Sequence, residues 1–529
     1  MRRRILLGSA LASAAAGPLF RPSIARAQAQ SALRFVPQAD PAILDPIVTT
    51  GLVTRNHGFL IFDTLYGVDD QLRAKPQMVE GHTIENNGLL WTMKLREGLR
   101  FHDGQPVLAR DVVASLRRWG LRDTFGISLL AAVDELSAPD DRTVRWRLKK
   151  PFPLMPDCLG KVGAITAAIM PERIATADAA IPVKEMVGSG PFRFVPGEYV
   201  AGSRVVYAKF DGYVPRAEPC SLLSGAKIAN FDRVEWQTIP DAATAAAALQ
   251  QGEIDWLEQP IVDLLPTLKK DSRLKVEILD PTGAVGVIRF NQLYPPFNNP
   301  AIRRIILGAV TQSEFMTAIV GDDTTLWRDK VGFFPPGSPM ANDEGMEALT
   351  GKRDLAASAR ALREAGYNGE PVTMMSPTDF PSINAMSEVT NELLGKLGMK
   401  VNYIATDWGS ALRRMANREP PDKGGYNLFC TYSAGVTQYN PAAHNFIRGT
   451  GDQATFGWSV SPGLEKLRDQ WFDAPDDAAR LQIGRAMQKQ AFIDVPYIPL
   501  GVFYQPTAYR ADLTGVIKGP PLFWNIKLS

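Results

Sequence analysis

The chain is 529 residues long, 45% hydrophobic and 22% charged, with a formal net charge of +2 at pH 7. That length is too great for one core, so two or more domains are expected, and the composition is that of an ordinary globular protein. Five arginines and no acids fall in the first 27 residues, leaving 53 basic and 56 acidic residues and a net charge of −3 beyond them, which argues against a nucleic-acid partner.

The chain opens with Arg2, Arg3 and Arg4, followed by apolar or small residues from Ile5 to Phe20. Ala25-Arg26-Ala27 and Ala27-Gln28-Ala29 then place small residues where a signal peptidase cuts. Residues 1–27 are therefore expected to be a secretory signal peptide, and both the Sec and the twin-arginine routes fit the arginines ahead of the apolar run. Cleavage after Ala27 leaves 502 residues, with no later stretch apolar and long enough to span a bilayer and no cysteine near the cut to carry a lipid. A periplasmic mature protein, free of the membrane, is the expectation. Cys158, Cys220 and Cys430 are odd in number and form no C-x-x-C pair; one disulfide is open, and a small buried residue is the expected role of each.

Residues 33–36 are expected to form a first strand, followed by a loop through Asp45-Pro46 and Thr49-Thr50 and a helix over 57–66. Alternation predicts strands at 89–96 and 143–148, with a turn at 101–107 and a helix from Asp111 through Trp119. Residues 241–251 are strongly helix-forming, with Asp241 as N-cap and Gly252 as C-cap, before a strand in Ile254–Glu258. Beyond 285 the order becomes β-α: a strand at 286–291, helices over 300–319 and 354–365, a strand at 373–377, a helix over 382–397 and a strand at 399–406. This order implies an open α/β sheet.

Several blocks, in order, resemble the extracellular solute-binding proteins of family 5, the group that includes periplasmic dipeptide- and oligopeptide-binding proteins. They are Leu44-Asp45-Pro46, Phe62-Asp63-Thr64-Leu65, LLWTMKLREGLRFHDGQPVLARDVVASLRRW (89–119), VGSGPFRF (187–194), ALQQGEID (248–255), RFNQLYPPFNNPAIRR (289–304), LREAGY (362–367), ELLGKLGMKV (392–401) and QKQAFIDVPYIPL (488–500). The resemblance implies an α/β, two-lobe periplasmic binding protein fold (type II, cluster C) with an extra domain inserted in lobe I. By analogy lobe I takes residues 28–285 and 500–529, the insert 76–185 and lobe II 286–499. The chain would cross between lobes near 286–291 and 498–505. Such lobes close over a small-molecule or peptide ligand by hinge motion. The resemblance further implies a monomer that delivers its ligand to the membrane subunits of an ABC permease, without a cofactor.

Catalytic readings are weaker. His102-Asp103-Gly104 lies in the family's F-H-D-G turn, Gly188-Ser189-Gly190 lacks the G-x-S-x-G frame, and Glu253 and Asp255 end a helix–turn block. No metal-ligand spacing occurs. A sensor partner, a chaperone-like binding protein and a periplasmic hydrolase on the same scaffold are the competing functions.

Peptide-binding members of the family carry a lobe II loop of the form G-W-x-x-D-x-x-D-P, whose first aspartate pairs with the peptide amine. The matching stretch is TYSAGVTQYNP (431–441): Thr437, beside Gln438, falls at the amine-binding aspartate, Asn440 at the second aspartate and Ala434 at the tryptophan. A neutral side chain there cannot neutralise a cation. A ligand without a free charged N-terminus is therefore expected, unless Asp379 or Asp407 supplies the carboxylate. The expected ligand-binding residues are Thr49, Thr50, Asn56, Trp408, Tyr432, Ser433, Ala434, Gly435, Thr437, Gln438 and Tyr439, with Arg413 and Arg414 as candidates for attracting an anion.

Overall fold

The computed structural model describes residues 31–529; the expected signal peptide, 1–27, lies outside the described residues. Strand Ala32–Val36 lies inside a seven-stranded sheet, running parallel to Arg233–Gln237 on one side and Trp256–Leu257 on the other. Its alternation is strict enough to aim Leu33 and Phe35 into the core, where Phe35 meets the rings of Trp236, Trp256 and Phe523. This sheet is the core of lobe I.

Inserted into lobe I is a four-stranded antiparallel sheet in the order Val79–Glu85, Leu90–Leu95, Thr143–Leu148, Val133–Ser137. Trp91, Met93 and Leu95 alternate inward and face Val144, Trp146 and Leu148, the period-2 burial the sequence predicts. Helix Ala109–Gly120 covers this sheet, with Asp111 accepting from the Leu108 N–H at 2.8 Å. Beyond it the short helix Met155–Gly160 leads into the irregular segment 161–164 at the boundary with lobe II.

Lobe II is built on a six-stranded mixed sheet in the order Trp327–Arg328, Ile498–Phe503, Ala284–Phe290, Leu428–Ala434, Pro371–Pro377, Lys400–Thr406. Every residue of Ala284–Phe290 is buried, and it pairs from Ala284↔Ala434 to Phe290↔Leu428. A fully paired central strand has no freedom to act as a crossing. The chain therefore passes between lobes at 278–283, ahead of the expected 286–291, and at 504–506, at the end of the expected 498–505.

Other expectations shift for local reasons. The helix expected over 57–66 is Leu52–Ile61, and Phe62–Leu65 run extended because Asp63 turns into the core to meet Lys227 at 2.8 Å. The 300–319 helix divides into Pro300–Ala309 and Gln312–Val320, where the Gln312 amide leaves to bond the Val331 and Pro499 backbone. Helix Ala242–Gln251 keeps its expected ends, with Asp241 accepting from Thr244 N and Gly252 closing it. The three cysteines are unpaired, Cys158 and Cys430 fully buried. No helix of the described residues is long and apolar enough to cross a membrane.

Arg289 ties the lobe II sheet to the segment beside it. Its fully buried guanidinium donates to the carbonyls of Phe456 at 2.6 Å, Phe446 at 2.8 Å, Pro496 at 2.9 Å and Thr455 at 3.2 Å. Burial lowers its pKa to about 10, which leaves it charged at neutral pH. Arg289→Leu strips four carbonyls of their donor, so urea unfolding should show a loss of about 3 kcal/mol or more; a loss below about 1 kcal/mol would contradict this account.

Candidate ligand-binding cleft

Between the lobes lies a cavity of about 450 Å³, walled by both. Lobe I contributes Thr50–Leu52, the turn from Val68 to Leu72, Asp157 and the segment Lys161–Ala164. Lobe II contributes strand residues Phe429 to Ser433, the turn after them and one face of helix Trp408–Met415.

The helix face follows directly from sequence. Trp408, Leu412 and Met415 are spaced i, i+4 and i+7 and line the cavity, while Asp407 caps the helix by accepting from Ser410 N at 2.8 Å. Phe380 meets Trp408 edge-on, centroids 5.2 Å apart, and Tyr432 on its other side at 5.8 Å. The result is a largely aromatic and aliphatic wall.

Polar groups concentrate where the lobes touch. The Tyr432 hydroxyl donates to Gln38 Oε1 at 2.7 Å, joining lobe II to lobe I, and Gln259 Nε2 donates to the same Gln38 oxygen at 2.7 Å. Arg448 donates to the Thr124 carbonyl at 3.0 Å, and Lys150 meets Asp473 at 2.9 Å. Gly163 of lobe I faces Thr437 of lobe II so closely that a Cβ on the glycine would lie 2.9 Å from the Thr437 methyl.

The structure distributes the expected residues unevenly. Thr50, Trp408, Tyr432, Ser433, Thr437 and Tyr439 line the cavity. Thr437 spends its hydroxyl locally, donating to the Ala434 carbonyl at 2.7 Å beside Ser433 Oγ at 2.6 Å. Thr49, Asn56, Ala434, Gly435 and Gln438 do not line this cavity. Thr49 accepts from Gly51 N and shapes the turn. Asn56 faces inward from its helix, where it accepts from Arg55 and donates to Glu258 at 3.2 Å. Ala434 backs a smaller cavity at the crossing, Gly435 is sealed against the Thr282 carbonyl, and Gln438 is buried with neither amide atom partnered. Arg413 bonds Ser410 and Arg414 bonds the Gly425 carbonyl, so neither offers charge to the cavity. Asp379 accepts from Trp408 N at 2.8 Å, so it and Asp407 both serve the helix start rather than the wall.

Sequence reasoning missed Asp157, Lys161 and Phe380. The lobe I pair comes from the inserted domain, and nothing in its local pattern marks it; only the tertiary path brings it to the cleft.

The catalytic candidates serve structure. His102 joins the turn to Gly190 O at 3.1 Å, and burial drops its pKa to about 4. A Cβ at Gly188 or Gly190 would collide with the carbonyls of Ile61 and Leu60, so both glycines serve close packing. Asp255 pairs with Arg34 at 2.9 Å and Arg510 at 3.2 Å. No cluster among the described residues has the makings of a metal site.

Behind the cleft, Glu258 is buried and accepts from Gln38 N at 2.7 Å. Burial lifts its pKa to about 7, against the pull of that N–H and of Arg55.

Comparison with known proteins is consistent along nearly the whole chain. The family described as bacterial extracellular solute-binding proteins, family 5 Middle, matches residues 73–455. The chain is 34% identical over 535 residues, 99% of each chain, to a probable peptide ABC transporter periplasmic-binding protein, y4tO, of Sinorhizobium fredii. It is 23% identical to the glutathione-binding protein GsiB of Escherichia coli K12, over 89% of each chain. Among solved structures, the A. tumefaciens R10 protein AgaA in complex with agropinic acid superposes with a TM-score of 0.79 at 23% identity, covering 94% of this chain and 99% of that one. Helicobacter pylori DppA in complex with the peptide STSA superposes at 0.76 and 22% identity, covering 94% and 98%. At these identities the structures are alike in fold.

Two outcomes follow. Gly163→Val should wedge the lobes apart at Thr437, weakening ligand binding by about tenfold or more, with ligand-free stability unchanged within about 0.5 kcal/mol; isothermal titration and urea unfolding read the two effects. Glu258 has a folded pKa raised above its unfolded value, so its stabilising contribution is complete below pH 4.5 and lost as pH rises through about 7. Stability profiles should therefore show wild type losing ground to Glu258→Gln between those limits, and parallel profiles would contradict the assignment.

Proposed function

The chain belongs to the bacterial extracellular solute-binding proteins, family 5, and on that premise we propose that it is the periplasmic receptor of an ABC importer, capturing a small peptide or peptide-sized organic solute between its lobes and presenting it to the permease. The observation that carries this reading is the 450 Å³ cavity whose walls come from both lobes. A cavity of that size encloses a small solute, whereas a chaperone needs an open surface for long chains. Closure around such a solute buries it on both sides, and a permease that recognises the closed shape then reads occupancy.

The wall also narrows the cargo. Trp408, Leu412, Met415 and Phe380 offer broad apolar contact and few hydrogen bonds. A bare sugar needs many polar partners, so a solute with an apolar body fits better. The roles found for His102, Gly188, Gly190 and Asp255 favour binding over catalysis. Export through the N-terminal leader, removal of residues 1–27 and a monomeric mature protein complete the proposal.

The test is a thermal-shift screen of ligand-stripped mature protein against dipeptides, tripeptides, acylated peptides, opine-like compounds and sugars. A true ligand at a hundredfold its dissociation constant adds about 2.7 kcal/mol of stability. Trp408→Ala should abolish most of that gain for ligands with an apolar body. A protein shifted by no small solute that instead retains unfolded polypeptide would overturn the receptor reading.

A further inference from the structure

The main cavity is lined by two charged side chains among the described residues, Asp157 and Lys161, both from lobe I. They are in different situations. The Lys161 ammonium is already held by the Asp123 carboxylate and by the Ala164 carbonyl at 2.7 Å. Asp123 is fully buried and also accepts from Phe125 N and Gly126 N, so this ion pair is a fixed part of the scaffold. Lys161 therefore brings little net charge to the cavity.

Asp157 has no such partner. No side chain among the described residues donates to its carboxylate, and no cation stands within 4 Å. Lys161, one helical turn on, is turned to Asp123 instead. Arg480 acts on Asp157 only at longer range; its guanidinium lies over Trp471 and pairs with the exposed Asp477 at 3.0 Å, while its buried Nε has no partner. Burial raises the Asp157 pKa, against the opposing pull of its own backbone N–H and of Arg480. On the lobe II side the facing polar groups are neutral: Ser433, Thr437 and Asn440 line the cavity, and Asp379 and Asp407 are spent on the helix start.

A carboxylate enclosed with an apolar ligand and no cation would be costly. The cost disappears when the ligand itself carries the cation. We infer that the cargo is an amine, with its ammonium on Asp157 of lobe I and its apolar body against the Trp408 helix face of lobe II. This rests on the receptor reading above and adds the charge and orientation of the ligand. It also revises the expectation drawn from Thr437: a neutral residue at that lobe II position does not exclude a charged amine, because the carboxylate comes from the opposite lobe.

The test uses mature protein, wild type and Asp157→Asn, with matched probes: the dipeptide Leu-Phe, phenethylamine and N-methylphenylalanine, each beside its N-acetyl counterpart. Thermal shift ranks the probes and isothermal titration measures affinity. Wild type should prefer at least one free amine over its acetylated form by tenfold or more. Asp157→Asn should erase that preference by weakening the free amine alone, with ligand-free unfolding no worse than wild type. Asp157→Glu, which keeps the charge, should restore part of it. Equal affinity of Asp157→Asn and wild type for the free amine would overturn the inference. So would stabilisation of wild type by the acetylated compounds only, an outcome that leaves the receptor reading standing, or by neither arm. Native mass spectrometry of the protein released from cells gives an independent check: a co-purified solute without a basic nitrogen also overturns it.

Discussion

The ligand cavity depends on charge buried in lobe II and satisfied by backbone. Arg289 reaches out of a central strand to four carbonyls of neighbouring segments, and two of those carbonyls belong to Phe446 and Phe456, which wall the cavity. Arg468, equally buried, donates to the carbonyls of Pro441 and Ile447 in the same stretch, and Arg448 reaches across to the Thr124 carbonyl in lobe I. Residues 441–460 contain little regular structure to satisfy their own backbone. Arginine's planar fork of donors does this work, so an irregular segment is held firmly enough to shape a binding wall.

Closure is then a matter of small terms. Among the described residues the chain passes between lobes twice, at 278–283 and 504–506, and short crossings of this kind let the lobes move as bodies. Contacts across the cleft include the Tyr432–Gln38 hydrogen bond, the buried Arg448 bond to the Thr124 carbonyl, a Thr124–Asn445 hydrogen bond, an exposed lysine–aspartate pair, a glycine against a threonine methyl and the packing of Phe472 on Phe125 and Phe152. Exposed ion pairs contribute little, and single hydrogen bonds contribute about 1 kcal/mol. A ligand that touches both lobes adds to these contacts and so favours the closed arrangement by its differential affinity for it. The arrangement of the wall fits that logic, with the free carboxylate on one lobe and the apolar helix face on the other: neither lobe alone offers both.

Much of the architecture was legible from sequence because it rests on local rules. The alternation in Leu90–Leu95 and Thr143–Leu148 and the Asp241 and Gly252 caps report on neighbours a few residues away. The order of blocks likewise carried the family, and with it two lobes and an insert. Where local pattern met long-range demand, the long-range demand won. The helix expected to run to Tyr66 stops at Ile61 because Asp63 is needed by Lys227, 164 residues away.

The binding residues divide along the same line. The register of the family loop singled out Tyr432, Ser433 and Thr437, and the preceding strand singled out Trp408; all four fall on the cavity wall. It also named Asn56 and Gln438, which turn inward, since the direction of a side chain on a buried helix or turn is settled by what packs against it. Asp157 carried no signal at all. Its significance is an unpaired charge inside an enclosure, and neither the pairing of Lys161 with Asp123 nor the enclosure exists until two lobes and an inserted domain are brought together. Sequence alone determined what kind of molecule this is, because strand alternation, caps and block order are local and additive. Tertiary structure alone decided which charge is left free, because ion pairing depends on distances in space that no spacing along the chain encodes.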